Sequence, residues 1–359
     1  MTKKILNRIS FLLKKLLHSL FPDRNLSKFP KKLLNKKLSL LDVGARGGIG
    51  FPWNSAEIEN LNVILVEPDM EEVELLKKHH RGIILPYALW SEETELVLNI
   101  NNNPGTSSVL KPNMHFLRQF DDSDRFDAKN KITIKTTTID NLYLNGKLID
   151  VDFMKIDIQG AELNVLKGGE HFLKNNLIGL ESEVEFSPMY ENQALFSELE
   201  IYVRQELGLE LWDIRKTYWK YSQSKYLNPT KGRLIFGDAL FLRPVSKLDA
   251  WLQTLDSDKA QNKLQMLITS SLAYGYLDYA DTILNASFTN KYLCKEDKQK
   301  FINHIRNYHK SIYPFKNGLN LLYMPLQVLA NCFKPTYKGW GSADGSNHLG
   351  SRKKSFFWY

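Results

Sequence analysis

The chain has 359 residues, 43% of them hydrophobic and 25% charged, a composition ordinary for a soluble globular fold. The formal net charge of +8 is uneven, since residues 1–37 carry +10 and residues 331–359 carry +4, which leaves −6 for residues 38–330. An acidic central region argues against a groove for DNA or RNA. No stretch reaches the run of about 18 apolar residues that a membrane span requires. The only cysteines, Cys294 and Cys332, fit neither a disulfide framework nor a metal spacing, so we expect a reducing, cytoplasmic compartment.

Residues 1–21 place leucine and isoleucine at helical spacing, with lysine and arginine elsewhere around the helix. Such a basic amphipathic helix can lie in an anionic membrane surface. It can equally pack its apolar stripe on the same protein or on a second subunit. The sequence therefore leaves two hypotheses for residues 1–37: peripheral contact with the inner face of the membrane, or a docking contact that includes a homodimer.

A strand over residues 38–43 runs into a glycine-rich turn at residues 44–50. Glycines let the backbone turn sharply and approach a ligand closely. The next predicted strand ends at Glu67, 25 residues after Asp42, close to the spacing at which a carboxylate binds ribose hydroxyls. The glycines do not fit G-x-G-x-x-G in any register, which weakens the hypothesis of a nicotinamide-dependent oxidoreductase. S-adenosylmethionine is a cofactor with a ribose but no pyrophosphate.

Further along the chain, the residue pattern alternates as in an α/β sheet. It predicts a helix over 70–80, a strand over 83–85, an irregular lid or acceptor loop over 99–130 and an edge strand over 132–139. After residue 160 it predicts a helix to about 174, a strand over 178–186, a helix over 194–207, and strands near 211–214 and 239–242. Residues 245–315 have helical spacing and either cover the core or mediate dimerisation.

The segment 153–158 is an apolar run that predicts a buried strand, with Asp157 at its carboxyl end, where open α/β sheets bind ligands. The alternative is an acid that caps the following helix. Glu183 and Glu185 share one face of the next strand, so one of them can add a second carboxylate, unless they are exposed edge residues. Two facing carboxylates can also hold a divalent cation that polarises the acceptor, but none of these acids has a specific metal spacing, and no metal ligand is predicted.

Six segments together resemble the FkbM family of S-adenosylmethionine-dependent methyltransferases over about residues 38–244. They are DVGARGG at 42–48, VEPD at 66–69, YALW at 87–90, TSS at 106–108, KIDIQGAE at 155–162 and EVEF at 183–186. The resemblance implies an α/β, Rossmann-like class I methyltransferase sheet with helices on both faces. It also implies transfer of a methyl group to a hydroxyl oxygen, often of a sugar, and we expect a small-molecule, glycan or glycolipid-precursor acceptor.

The resemblance assigns roles to particular residues. Asp157 is the expected base or acceptor-positioning group, with Glu183 as the second catalytic carboxylate. Arg46 is expected to meet the cofactor's carboxylate, and Glu67 to accept hydrogen bonds from its ribose. Trp90 is expected either beside the adenine or in the core. The full set of expected cofactor contacts is Asp42, Gly44, Ala45, Arg46, Gly47, Glu67, Pro68, Ala88, Leu89, Trp90, Ser107 and Ser108.

The predicted organisation is therefore a basic helix and linker at 1–37, a methyltransferase domain at 38–244, a helical extension at 245–330 and a flexible basic and aromatic tail at 331–359. Two other classes of function stay open, a nicotinamide-dependent oxidoreductase and a non-catalytic scaffold that retains the sheet. Intact Asp42, Gly44, Glu67 and Asp157 argue against the scaffold.

Overall fold

In a computed structural model of the protein, the structure describes residues 34, 36–55, 61–225, 232–312, 324–326, 328–329, 332 and 340–341. The basic segment 1–21 lies outside the described residues, as does most of the tail, so the predictions for both stay predictions. None of the helices in the described ranges is long and apolar enough to cross a membrane.

Strands of two sheets alternate with short helices along the chain. The strands are β1 (Leu38–Val43), β2 (Leu61–Val66), β3 (Ile83–Leu85), β4 (Ala88–Leu89), β5 (Glu95–Asn101), β6 (Ala128–Thr137), β7 (Phe153–Ile156), β8 (Gly179–Glu185), β9 (Glu210–Trp219), β10 (Arg233–Leu242) and β11 (Trp340–Gly341).

One group of α-helices lies between β2 and β9 in the chain, and a second group follows β10. They are α1 (Met70–His79), α2 (Met114–Leu117), α3 (Ile139–Leu144), α4 (Glu162–Lys167), α5 (Glu170–Asn176), α6 (Phe196–Tyr202), α7 (Val245–Leu252), α8 (Ser257–Tyr274), α9 (Leu277–Asn285), α10 (Thr289–Tyr292) and α11 (Lys295–Ile312). Short 3₁₀ turns occupy Trp53–Ser55, Pro104–Thr106 and Ser123–Phe126, and a π-helical turn, Val203–Leu207, extends α6.

The main sheet has the strand order β11-β9-β10-β8-β7-β1-β2-β3. Strands β3, β2, β1, β7 and β8 are parallel, whereas β10 is antiparallel to β8 and β9 is antiparallel to β10. The order reverses at β1, so β2 and β7 lie on opposite sides of it. Ligands of open α/β sheets bind at the carboxyl ends of strands at such a reversal. The predicted α/β, Rossmann-like fold is confirmed.

Each face of the sheet is covered by a different set of helices. On the face defined by Leu40, Leu65 and Phe153, called face A below, the core continues into the helices of residues 245–312 through side chains such as Leu264 and Ile283. On the opposite face, residues of β1, β2 and β7 pack against α3 to α6. The helical segment after residue 245 therefore covers one face of the main sheet and shares its core.

A second sheet has the order β4-β6-β5. The predicted edge strand at 132–139 is therefore wrong in position, because β6 lies in the middle, antiparallel to β5 and parallel to β4. Period-two alternation indicates that one face of a strand is buried, but it does not indicate which strands are neighbours. The neighbouring strand β5 was not predicted from the sequence. The irregular stretch 99–130 begins in β5 and contains α2 and two of the 3₁₀ turns.

The helix predicted to run to about residue 174 is two helices, α4 and α5, divided at Gly168 and Gly169. A Cβ on Gly168 would lie 2.1 Å from the carbonyl oxygen of Trp90, so this glycine permits the chain after β4 to pass against the helix end. The second sheet therefore contacts the helices of the main sheet at the break between α4 and α5.

Candidate active site

The turn after β1 contacts the turn after β7. Gly44 has a φ of +78°, and its amide and that of Ala45 donate to the carbonyl of Val66, at 3.0 and 3.2 Å. A Cβ on Gly44 would lie 2.0 Å from the carbonyl oxygen of Asp157. Only glycine fits at this position, and its small size brings the ends of β1, β2 and β7 together.

Glu67 follows β2 directly and is 5% exposed. Its Oε1 accepts a hydrogen bond from the amide of Asp69 at 3.0 Å, which orients the carboxylate. Burial raises the pKa of Glu67 above its ordinary value. The sequence predicts an acid that binds ribose at this strand end. In the structure Glu67 lies beside the Gly44 turn, because the amides of Gly44 and Ala45 bind the carbonyl of the preceding residue, Val66.

Arg46 is already paired in the structure. Its guanidinium lies 2.6 Å from Asp69 Oδ2 and 3.4 Å from Glu72 Oε2. Glu72 also accepts from the amide of Gly47, at 2.9 Å. The side chain expected to meet the cofactor's carboxylate thus connects the glycine turn to the first turn of α1. The sequence pattern did not indicate that Asp69 and Glu72 would form ion pairs with Arg46.

Asp42 is almost completely buried, with Lys155 Nζ 3.5 Å from its Oδ1. Burial, opposed by the charge of Lys155, raises the pKa of Asp42. The two residues are register partners on β1 and β7, and this ion pair lies beneath the glycine turn. Asp42 therefore links β1 to β7 through Lys155, two residues before Gly44.

Ala88 and Leu89 form β4 and are buried, and Leu89 belongs to the core opposite face A. Trp90 and Pro68 are half-buried. The amide of Trp90 donates to Thr137 O at 2.9 Å, which continues the pairing of β4 with β6. The structure thus gives Leu89 a place in the core and leaves Trp90 partly accessible.

A hydrogen-bonded chain runs through Asp157, Gln159 and Glu183. The Gln159 side-chain amide donates to Asp157 Oδ1 at 3.0 Å and to Glu183 Oε2 at 2.7 Å. Gln159 has a φ of +61°, unusual for a residue with a side chain, and strain of this kind is concentrated at functional sites. The hydroxyl of Tyr190 lies 3.0 Å from Gln159 Oε1 and 2.9 Å from Thr106 O, two acceptors for its one proton.

Three glutamates beside this chain are buried. Glu162 accepts from the amide of Ile158 at 2.8 Å, and burial raises its pKa to about 7. Glu183 and Glu185 are 6% and 2% exposed, so they are not the exposed edge residues of the alternative hypothesis. Burial, reinforced by the charge of Asp157, raises the pKa of Glu183 well above its ordinary value. Asp157 itself is half-buried.

Ser107 and Ser108 bind backbone groups. The hydroxyl of Ser107 accepts from the amide of Asn101 at 3.1 Å. The hydroxyl of Ser108 donates to Gln159 O at 2.8 Å and accepts from Leu110 N at 3.0 Å. Together with Tyr190, Ser108 fastens the stretch predicted as a lid to the turn that carries Asp157.

The sequence pattern missed Tyr190, Lys155 and the site position of Glu162. Glu162 shapes the turn by accepting a hydrogen bond from the amide of Ile158. Its second relationship, proximity to Glu183, depends on the spacing of β7 and β8 in the sheet. Tyr190 follows β8 in a segment without periodicity, and no sequence signal marks it.

Comparison with known proteins finds one family model that matches part of the chain. Residues 42–210 match the sequence model described as Methyltransferase FkbM domain. No curated protein matches the chain.

Among solved structures, Methyltransferase FkbM from Methylobacillus flagellatus KT is 14% identical, with a TM-score of 0.32, covering 60% of this chain and 47% of its own. This chain thus spans about half the length of that protein. A TehB-like SAM-dependent methyltransferase from Corynebacterium glutamicum is 11% identical, with a TM-score of 0.26, covering 66% and 97%. A SAM-dependent methyltransferase from Aquifex aeolicus is 14% identical, with a TM-score of 0.27, covering 64% and 97%.

Identities and TM-scores this low carry no argument about activity. The match to the family model includes the glycine turn, Glu67, Asp157 and Glu183, all within one continuous region. It confirms the resemblance on which the site residues were assigned. Residues 42–210, a little under half of the chain, thus match the FkbM methyltransferase domain.

Proposed function

We propose that the protein is an S-adenosylmethionine-dependent O-methyltransferase that methylates a hydroxyl group of a sugar, glycan or glycolipid precursor. The observation that carries the proposal is the position of two acids on either side of one glycine turn. Glu67 follows β2, Asp157 follows β7, and Gly44 between them contacts the backbone of Asp157. We assign Glu67 to the cofactor and Asp157 to the acceptor.

The residues fit the cofactor. Glu67 offers a carboxylate to the two ribose hydroxyls, and burial strengthens such hydrogen bonds. The amides of Gly44, Ala45, Gly47 and Gly48 are used inside the protein. These four amides are therefore not available to the cofactor. The turn instead lets the backbone come close to the cofactor. A Cβ on Gly47 would meet nothing within 4 Å, so the turn has open space above it.

S-adenosylmethionine supplies an electrophilic methyl group, and a hydroxyl that accepts it must lose its proton. Asp157 is the group we assign to that proton, because it is half-buried and fixed by Gln159 through one of its oxygens. Glu183 is buried, and its Oε2 accepts from the Gln159 amide that also binds Asp157. We assign it to holding Asp157 and the acceptor through Gln159.

The acceptor class is supported by the acids at the end of β7. Asp157 is half-buried, and Glu183 lies behind it on the same face of the sheet. Carboxylates accept hydrogen bonds from hydroxyl groups, so a polyhydroxylated acceptor suits Asp157 better than an anionic one. The test is a panel of sugars and glycolipid precursors incubated with the enzyme and methyl-labelled cofactor. Transfer of label to a hydroxyl oxygen supports the proposal, and label found only on nitrogen or carbon contradicts it.

We also propose a cytoplasmic location in which residues 1–21 contact the inner face of the membrane. The support is the basic amphipathic pattern of that segment alone. Liposome flotation with anionic vesicles tests it: removal of residues 1–21 should abolish flotation of the full chain, and equal flotation of both forms overturns it.

A further inference from the structure

Three carboxylates from three different elements converge at the carboxyl end of β7. One oxygen from each of Asp157, Glu162 and Glu183 lies within 4.8 Å of the other two. Asp157 follows β7, Glu162 begins α4, and Glu183 lies in β8. Their separation is fixed by the sheet and by the turn of residues 157–161, so the grouping is part of the fold.

Among the described residues, no ion pair holds this group of acids. Within the described part of the chain, neither lysine, arginine nor histidine lies within ion-pair distance of any of the three, although the charges of Lys155 and Arg215 act on Asp157. Their hydrogen-bond donors are neutral: the amide of Ile158 for Glu162, and the side-chain amide of Gln159 for Asp157 and Glu183. Crowded buried carboxylates are costly to ionise, and a bound cation would supply positive charge that removes this cost.

A fourth acid gives an independent indication of a ligand. Glu185 is 2% exposed, and its Oε1 has no hydrogen-bond partner among the described residues. It shares the face of β8 with Glu183, and its charge interacts with those of Glu162 and Asp157. An orphaned carboxylate oxygen beside three crowded carboxylates is the arrangement expected around an electropositive group.

We propose that Asp157, Glu162 and Glu183 bind one divalent cation of the magnesium, manganese and calcium class, with Glu185 oriented toward it. All the ligand atoms are carboxylate oxygens, which hard cations prefer. Two oxygens on opposite sides of a calcium ion are separated by twice the bond length, up to about 5 Å. The observed separations fit that limit, and magnesium would draw the oxygens slightly closer.

Neither histidine nor cysteine belongs to the group, so zinc is a poor fit. The three acids also leave several positions of a six-coordinate cation for water or an acceptor hydroxyl. The site goes beyond the proposed function, because cation binding needs neither cofactor nor acceptor.

The experiment is a titration of the full-length, metal-stripped protein with Mn²⁺, in which the paramagnetic resonance signal of free Mn²⁺ is measured. The wild type should bind one equivalent. Glu183→Gln should bind at least tenfold more weakly, and Glu185→Gln should weaken binding to a smaller extent. The matched control is Glu191→Gln, since Glu191 is an exposed acid that pairs with Lys111 and should leave Mn²⁺ binding unchanged.

The variants are chosen to fold. Glutamine at 183 can still accept from Gln159 and removes a crowded charge, so its melting temperature should equal or exceed that of the wild type. If Glu183→Gln nevertheless fails to fold, Glu185→Gln gives the same readout. Absence of Mn²⁺ binding by the wild type, or wild-type binding by both variants, overturns the proposal. Either result would leave the S-adenosylmethionine proposal standing, because that cofactor is titrated separately.

Discussion

Gly44 and Asp157 lie so close that a Cβ on Gly44 would be 2.0 Å from the Asp157 carbonyl oxygen. This contact joins the end of β1, where we propose that the cofactor binds, to the end of β7, where we propose that the acceptor binds. Because the contact is between backbones, it fixes the position of Asp157 whatever its side chain does.

Gly44→Ala is expected to destabilise the protein more than Gly47→Ala. Both glycines have positive φ, +78° and +75°, so alanine carries a backbone penalty of about 1–2 kcal/mol at either position. Only at Gly44 does the new methyl collide with backbone, whereas nothing lies within 4 Å at Gly47. Chemical denaturation of the two variants measures the difference. Equal free energies of unfolding would show that the turn at Gly44 does not pack tightly against the turn at Asp157.

Glu67→Gln is expected to weaken S-adenosylmethionine binding about 10- to 100-fold, since charge-assisted hydrogen bonds to the ribose contribute about 1.5–3 kcal/mol. Calorimetry measures this change. Glu74→Gln is the control, because Glu74 is an exposed acid on α1 that pairs with Lys77 and should bind cofactor as the wild type does. Unchanged affinity in Glu67→Gln would remove Glu67 from the cofactor site.

Cofactor affinity should also depend on pH through Glu67. Ribose hydroxyls donate to the ionised carboxylate, and burial raises the pKa of Glu67 above its ordinary value of 4.5. S-adenosylmethionine affinity should therefore be highest above the raised pKa and should fall as the pH is lowered through it, starting at a higher pH than an exposed glutamate would give. Calorimetry between pH 5 and 8 measures the profile, and Glu67→Gln should lack this fall. A matching fall in that variant would assign the titration to another group.

Asp157→Asn is expected to lower the rate of methyl transfer about 100- to 10,000-fold, the range for loss of a general base. Asparagine can still accept from Gln159, so the turn is retained and S-adenosylmethionine affinity should change little. Turnover with labelled cofactor and calorimetry on the same preparation separate the two effects. Loss of cofactor binding together with turnover would exclude Asp157 as an acceptor-side base.

The strand ends that carry the site could be predicted because each follows a short apolar run. Phe153, Met154 and Ile156 are buried as predicted, and Asp157 follows them at the end of the strand. Glu67 likewise follows β2 and lies next to the glycine turn. Local patterns of this kind report on burial within one element, and the family resemblance supplied their order in the sheet.

The contacts between elements could not be predicted in this way. Arg46 was expected at the cofactor's carboxylate, but it pairs with Asp69 and Glu72 because α1 returns across the glycine turn. Glu162 and Glu183 are separated by 20 other residues in the sequence. They approach each other because β7 and β8 are neighbours in the sheet. The position of β6 in the middle of a second sheet depends on β5, whose sequence pattern was not recognised.

Calorimetric titration of the full-length protein with S-adenosylmethionine and, separately, with NAD tests the central claim most directly. The proposed function predicts one equivalent of S-adenosylmethionine bound per chain, weakened in Glu67→Gln, and no binding of NAD. Binding of NAD in preference to S-adenosylmethionine would favour an oxidoreductase, and binding of neither would favour a scaffold. Either result would contradict the account.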